Sequence, residues 1–169
     1  ILNAALEIFA TFGYRKTSLS DISDRAGVSR PTLYTYFKNK QAIFIAVTEG
    51  INNSVVSKVQ LALEQPGMLE ENLTSAFREW TRPYTEILYG LTYGQELIGA
   101  GNSIAANVSA NALERFQHLL SSCLKRHEKN SDIDLRKINQ SALESAEYLI
   151  LCLNGLSNGK ATEQVFEQR

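Results

Sequence analysis

The stretch from Ser18 to Phe44 admits few structures besides two short helices joined by a tight turn and the start of a third. Ser18 stands three residues before Asp21, the spacing of a capping box. Leu19, Ile22 and Ala26 fall at helical spacing and predict one buried face. Gly27 supplies the backbone freedom that a helix end followed by a sharp turn requires. Ser29 is placed to cap the next helix, with Val28 and Leu33 at the two positions of a hydrophobic staple. Pro31 falls in the first turn, where its missing N–H removes no intrahelical bond. Two helices set at a steep angle by a Gly-containing turn make a helix-turn-helix.

The second helix divides into faces. At roughly 100° per residue, Leu33 and Phe37 point together into a core. Arg30, Pro31, Tyr34, Thr35 and Lys38 cluster on the other side, flanked by Thr32 and Tyr36. That face combines cations, hydroxyls and aromatic edges without a carboxylate, a set able to reach phosphate oxygens and base edges in a major groove. A plain solvated helix face is the alternative.

The run Thr17, Leu19, Ile22, Ala26-Gly27-Val28-Ser29, Thr32-Leu33-Tyr34, Tyr36-Phe37, Lys40 resembles the DNA-binding signature of the tetracycline-repressor (TetR) family. The resemblance covers about residues 1–47, and the combined spacing is specific where any single piece is weak. It implies a dimeric, ligand-responsive bacterial transcription regulator, most often a repressor, released from a pseudo-palindromic operator by a small molecule. It also implies DNA contacts from Thr17, Ser29, Arg30, Pro31, Thr32, Tyr34, Thr35, Tyr36, Lys38 and Lys40. Lys40, at the first turn of the third helix, is expected to meet a phosphate together with that helix's N-terminus. Pro31 departs from the pattern, since the family usually has a small residue there.

Charge is a modest guide. Residues 1–50 hold six basic and four acidic side chains, a small positive excess in a chain of net charge −1. Cys123 and Cys152 lie far apart in apolar helical surroundings and read as buried thiols in a reducing compartment. No apolar run approaches the roughly 18–20 residues of a membrane span, so a cytoplasmic location is expected. His118 and His127 share no helix face and no metal-ligand spacing. No nucleophile elbow or phosphate-cradling loop occurs. Neither a catalytic constellation nor a metal or other cofactor is expected.

Along the chain the periodicity is helical throughout, predicting an all-α protein. A first helix spans Ile1–Phe12, with Leu2, Ala5, Leu6, Phe9 and Phe12 on one stripe and Gly13 ending it. Asn39 is placed to cap a long helix from Lys40 to about Leu63. Gln65-Pro66-Gly67 reads as a linker. The next helix is expected to end or kink at Pro83, a shorter one to start at Tyr84, and the glycines from Gly90 to Gly101 to relax helix ends. A long amphipathic helix is predicted from Ser103 to His127, and Ser131 is expected to cap the one after it.

The division of labour follows: residues 1–46 as DNA-binding head, residues 47–169 as ligand-binding and dimerisation body. Phe77, Trp80, Tyr84, Tyr89 and Tyr93 bracket Pro83 and Gly90, and aromatics around a broken helix can line a cavity. Phe116 and Tyr148 are candidates for the opposite wall; ordinary core packing is the alternative. Tyr148 to Leu153 is apolar on all sides, which calls for cover on every face. A partner subunit would supply that cover, giving a dimer interface through Leu149, Cys152, Leu153 and Leu156, against the alternative of a central helix within one subunit. The chain opens on a residue already helical, and Thr162 to Arg169 resemble the opening of a last helix, so truncation at both ends is expected. Two other functional readings stand beside the ligand-responsive regulator: a regulator whose body binds a protein partner, and a helical enzyme or carrier with an incidental helix-turn-helix.

Overall fold

The structure is a computed structural model that describes residues 1–158, with side chains up to Gly155. Among the described residues it contains eight α-helices, one 3-10 turn and no strand. The helices are α1 (Leu2–Lys16), α2 (Leu19–Ala26), α3 (Arg30–Tyr36), α4 (Lys40–Glu64), α5 (Leu69–Gly90), α6 (Gly94–Ile104), α7 (Ala106–Lys129) and α8 (Ala142–Asn158). The described residues form two compact units, one of residues 1–57 and 79–113, the other of residues 58–78 and 114–158.

In the first unit, α1 to α3 and the start of α4 close on a shared core of Ala5, Phe9, Ile22, Leu33, Ile43, Phe44 and Val47, with Ala100 of α6 added. Phe9, Tyr14 and Phe44 meet ring to ring at centroid distances of 5.0–5.8 Å. Burying each such side chain contributes about 1.5–3 kcal/mol, which gives a short head its rigidity. The stripe on α1 differs from the expectation. Leu2, Leu6 and Phe12 are exposed, and the buried face is Ala5 and Phe9 flanked by Ile1 and Ile8. All seven apolar positions look alike in a periodicity count, and packing selects among them.

Gly13 does break α1. Its φ of 76° and ψ of 171° lie outside helical geometry, and one further turn reaches Lys16. Pro83 does not break α5, which runs unbroken from Leu69 to Gly90, so no separate helix starts at Tyr84. Proline there costs one backbone hydrogen bond. The ion pairs of Arg82 with Glu79 and Glu86 lie on adjacent turns. Gly94 does more than relax a helix end: a Cβ there would lie 2.0 Å from the carbonyl oxygen of Ile87, so only glycine allows α6 to start this close to α5. Ser103 closes α6 by donating to the carbonyls of Gly99 and Ala100 at 2.9 and 3.3 Å, and α7 begins only at Ala106.

The second unit packs Val59 and Leu63 with Phe116, Leu120, Cys123, Leu124, Ala146 and Ile150 as buried side chains. Asn72 closes the end of α4 by donating to the carbonyls of Leu63 and Gln65 at 3.0 and 2.9 Å, and Arg126 donates to Leu63 as well. Cys123 is buried as expected, with burial raising its thiol pKa against the opposing charge of Arg126, while Cys152 is exposed. Ser131 caps nothing: its φ is 66°, within the link after α7. Leu135 and Ile138 fall in the 3-10 turn Leu135–Ile138. The following helix is opened by Ser141 and Glu144, whose amide and side-chain groups bond reciprocally at 2.7 and 3.2 Å.

Candidate nucleic-acid interface

The helix-turn-helix forms as its residues dictate. Ser18 Oγ accepts from Asp21 N at 3.2 Å, and Asp21 Oδ2 accepts from Ser18 N at 2.8 Å. Ser18 Oγ also donates to Asp21 Oδ2 at 2.7 Å, and this bond first and the Ser18 N–H second hold the Asp21 carboxyl below the usual range. Gly27 takes the left-handed conformation at φ 67°. Ser29 Oγ accepts from Thr32 N at 3.2 Å, and Asn39 Oδ1 accepts from Ala42 N at 2.8 Å to open α4.

Leu33 is fully buried and Phe37 packs against the same core, which turns the rest of α3 outward. Arg30, Pro31, Thr32, Tyr34, Thr35 and Tyr36 are exposed, the last three lining the helix's outer surface. The helix stops at Tyr36. Phe37 is extended, with φ −136° and ψ 124°, so Lys38 lies on the link to α4 and not on the helical face expected for it.

The polar side chains of this surface fall into two groups. Ser29, Thr32 and Thr35 spend their hydroxyls locally: Ser29 Oγ and Thr32 Oγ1 are 2.8 Å apart, and Thr35 Oγ1 donates to the Thr32 carbonyl at 2.6 Å. Arg30, Tyr34, Tyr36 and Lys38 have no hydrogen bond or ion pair to any described residue. Two cations and two phenols thus stand exposed without a partner among the described residues, three on α3 and Lys38 on the link that follows it.

Thr17 and Lys40 face the other way. Thr17 is buried, and its hydroxyl donates to the Gly13 carbonyl at 2.6 Å. Lys40 Nζ donates to the carbonyls of Tyr14, Arg15 and Thr17 at 2.7, 3.2 and 2.7 Å, and lies 4.5 Å from the Tyr14 ring centroid. Burial lowers its pKa, and the nearby Glu96 carboxylate counters that shift. An ammonium saturated by three carbonyls is a bolt in the head and not a phosphate hook, which corrects the expectation for both residues.

Residues 1–47 match the family described as bacterial regulatory proteins, tetR family. The head is thus similar to the DNA-binding domain of TetR-family regulators. The HTH-type transcriptional activator FasR of Mycolicibacterium smegmatis is 41% identical over 63 residues, 37% of this chain and 29% of that protein. The fatty acid metabolism regulator protein of Bacillus subtilis is 32% identical over 73 residues, 43% of this chain and 38% of that protein. These matches span well under half the length of the curated relatives. Beyond the head the likeness to TetR structures is one of fold: the transcriptional regulator FadR from Bacillus subtilis, solved in complex with stearoyl-CoA, superposes with a TM-score of 0.66 over 99% of this chain and 87% of that one, at 18% identity.

The aromatic residues expected to line a pocket differ widely in exposure. Tyr84 and Tyr89 are exposed, Tyr89 by 71%. Tyr93 receives a hydrogen bond from Lys16 Nζ at 3.2 Å. Phe77, half-buried, meets the fully buried Phe116 edge to face at 6.2 Å. Trp80 is half-buried and lines no groove described here.

An apolar groove of about 430 Å³ lies instead in the second unit. Leu69 and Leu73 of α5, Leu124 of α7, Ile133, Leu135 and Ile138 of the link, and Ser145, Tyr148, Leu149 and Cys152 of α8 line it, with Asp134 and Gln140 as further polar groups. Tyr148 alone of the seven expected ligand residues is there. Leu149 and Cys152, expected at a dimer interface, line the groove too, and Leu153 is buried within the unit. Leu143, Tyr148 and Leu151 are the exposed large side chains of α8. The Leu156 side chain and residues 162–169 lie outside the described residues. Among the described residues no helix is long and apolar enough to cross a membrane.

Proposed function

We propose that this chain is a transcription regulator of cytoplasmic location, binding a pseudo-palindromic operator as a dimer and acting as a repressor that a small apolar ligand releases. The observation that carries the reading is the unspent set Arg30, Tyr34, Tyr36 and Lys38 beside a rigidly capped α3. Exposed donors with no partner among the described residues are free to give hydrogen bonds to phosphates and base edges. Residues 1–46 are the DNA-binding head in this reading, and residues 47–169 the ligand and dimer body. The exposed Leu143, Tyr148 and Leu151 of α8 support a dimer.

Fluorescence anisotropy with duplexes at rising salt tests it. Arg30→Ala should lose about 1–3 kcal/mol of discrimination between duplexes if Arg30 reads guanine. Lys38→Ala should weaken all duplexes alike and reduce the salt slope by about one per head. No salt-dependent binding to any duplex, with the protein folded, rejects the reading.

The ligand class follows from the groove. Its lining is mostly leucine and isoleucine with Tyr148 as its one aromatic, which suits a flexible hydrocarbon chain better than a flat aromatic. The relative named as a fatty acid metabolism regulator and the neighbour solved with stearoyl-CoA support an acyl chain as the ligand.

A further inference from the structure

The turn after Gly13 is held from two elements, in a way that DNA contact does not explain. At Gly13 a Cβ would stand 3.0 and 3.1 Å from the two carboxylate oxygens of Glu96 and 3.1 Å from the Tyr93 ring. The glycine's positive φ and its missing side chain together admit α6 to the end of α1. Arg15 N donates to Glu96 Oε1 at 2.7 Å. Lys16 Nζ donates to the Tyr93 hydroxyl and lies 5.2 Å from the centre of its ring. The carbonyls of the same turn are taken by Lys40 of α4. Thus α6 holds the turn by a backbone N–H and α4 holds it by its carbonyls. The turn leads directly into Ser18, whose capping box opens α2.

We infer that Glu96, supported by Tyr93, is a positioning residue for DNA recognition: its carboxylate sets the turn at residues 13–17, and so the angle at which the helix-turn-helix is presented. The inference rests on the DNA-binding reading above. Two features separate it from simple packing. A carboxylate beside a backbone N–H gives a charge-assisted bond whose strength depends on reach, so a shortened side chain breaks it while keeping the charge. The site is also built around a glycine no larger residue can replace without displacing the carboxylate.

The test uses the full chain with Glu96→Ala, Glu96→Asp and Glu96→Gln. Three readouts are taken: hydrogen exchange of the Arg15 amide by NMR, the thermal midpoint, and affinity for two duplexes. One duplex is the sequence that the wild type selects from a random pool, the other a scrambled duplex of equal length. Glu96→Ala and Glu96→Asp should lose Arg15 amide protection and bind the selected duplex about tenfold more weakly, with scrambled-duplex affinity nearly unchanged. Glu96→Gln keeps an acceptor at the same reach and should restore most of both. Selected-duplex affinity that stays at the wild-type level while Arg15 exchanges freely overturns the inference. Equal loss on both duplexes also overturns it, because a merely loosened fold does that. A wild type that binds no duplex removes the DNA reading and the inference with it, whereas a wild type that binds and an insensitive Glu96 series removes the inference alone. Should Glu96→Ala not fold, Glu96→Asp against Glu96→Gln makes the same comparison.

Discussion

Lys40 places its ammonium among the last carbonyls of α1, where unpaired C=O groups and the helix dipole both favour a cation. Its loss would leave those carbonyls short of a donor in a partly buried place. Lys40→Met should therefore lower the unfolding free energy by about 2 kcal/mol, read by denaturant titration. The same variant should leave the salt slope of DNA binding unchanged. A stable Lys40→Met with a flatter slope would return Lys40 to the phosphate. Gly94 is the second residue that decides something by itself. Gly94→Ala drives a methyl into the Ile87 carbonyl, and a cost of about 3 kcal/mol is expected, measured in the same titration. Neither role can be read from the sequence. A lysine after a helix-turn-helix looks like a phosphate contact until the carbonyls that surround it are known, and Gly94 looks like any other glycine near a helix end.

At the level of elements, local chemistry was legible wherever it is self-contained. Ser18, Gly27, Ser29 and Asn39 all do what their spacing predicts, because a cap involves only a few neighbouring residues. The Ser141–Glu144 box has the same spacing as Ser18–Asp21, and it, not Ser131, opens α8. Pro83 lies inside α5 without ending it, because a helix held by its neighbours can tolerate one missing hydrogen bond, and those neighbours are not local. The Asp21 cap carries a pH prediction. Its folded pKa is depressed below the ordinary 3.8, so its stabilising effect is present above that value and disappears as pH falls through the folded pKa. Wild type and Asp21→Asn should thus differ in stability at neutral pH and converge in acid, followed by urea titration across pH 2 to 7 as an order-of-magnitude window. A gap that persists in strong acid would trace the effect to packing.

For the whole molecule, the all-α class and the head were legible, and the candidate ligand site was not. The aromatic residues between 77 and 93 point to a pocket by type alone, yet Phe77 packs on the buried Phe116 and Tyr89 is solvent-facing. The groove is built from leucines and isoleucines that no sequence rule separates from ordinary core. Its aliphatic lining supports a prediction with a slope. Each further methylene buried contributes about 0.8 kcal/mol, so affinity for saturated fatty acids should rise about fourfold per carbon until the groove is filled, then level off. If the groove controls DNA binding, release of the selected duplex should follow the same series, and duplex should weaken acid binding by the same factor. Leu73→Glu and Leu149→Glu put a charge on either wall and should abolish the chain-length dependence, while both variants still bind DNA. Isothermal titration along the acid series, with anisotropy of labelled duplex in parallel, measures both quantities. An affinity that ignores chain length, or wall variants that respond like the wild type, would put the ligand elsewhere. A flat aromatic series outbinding the acids would point the same way, because a groove of aliphatic walls with one tyrosine has little to stack against a ring.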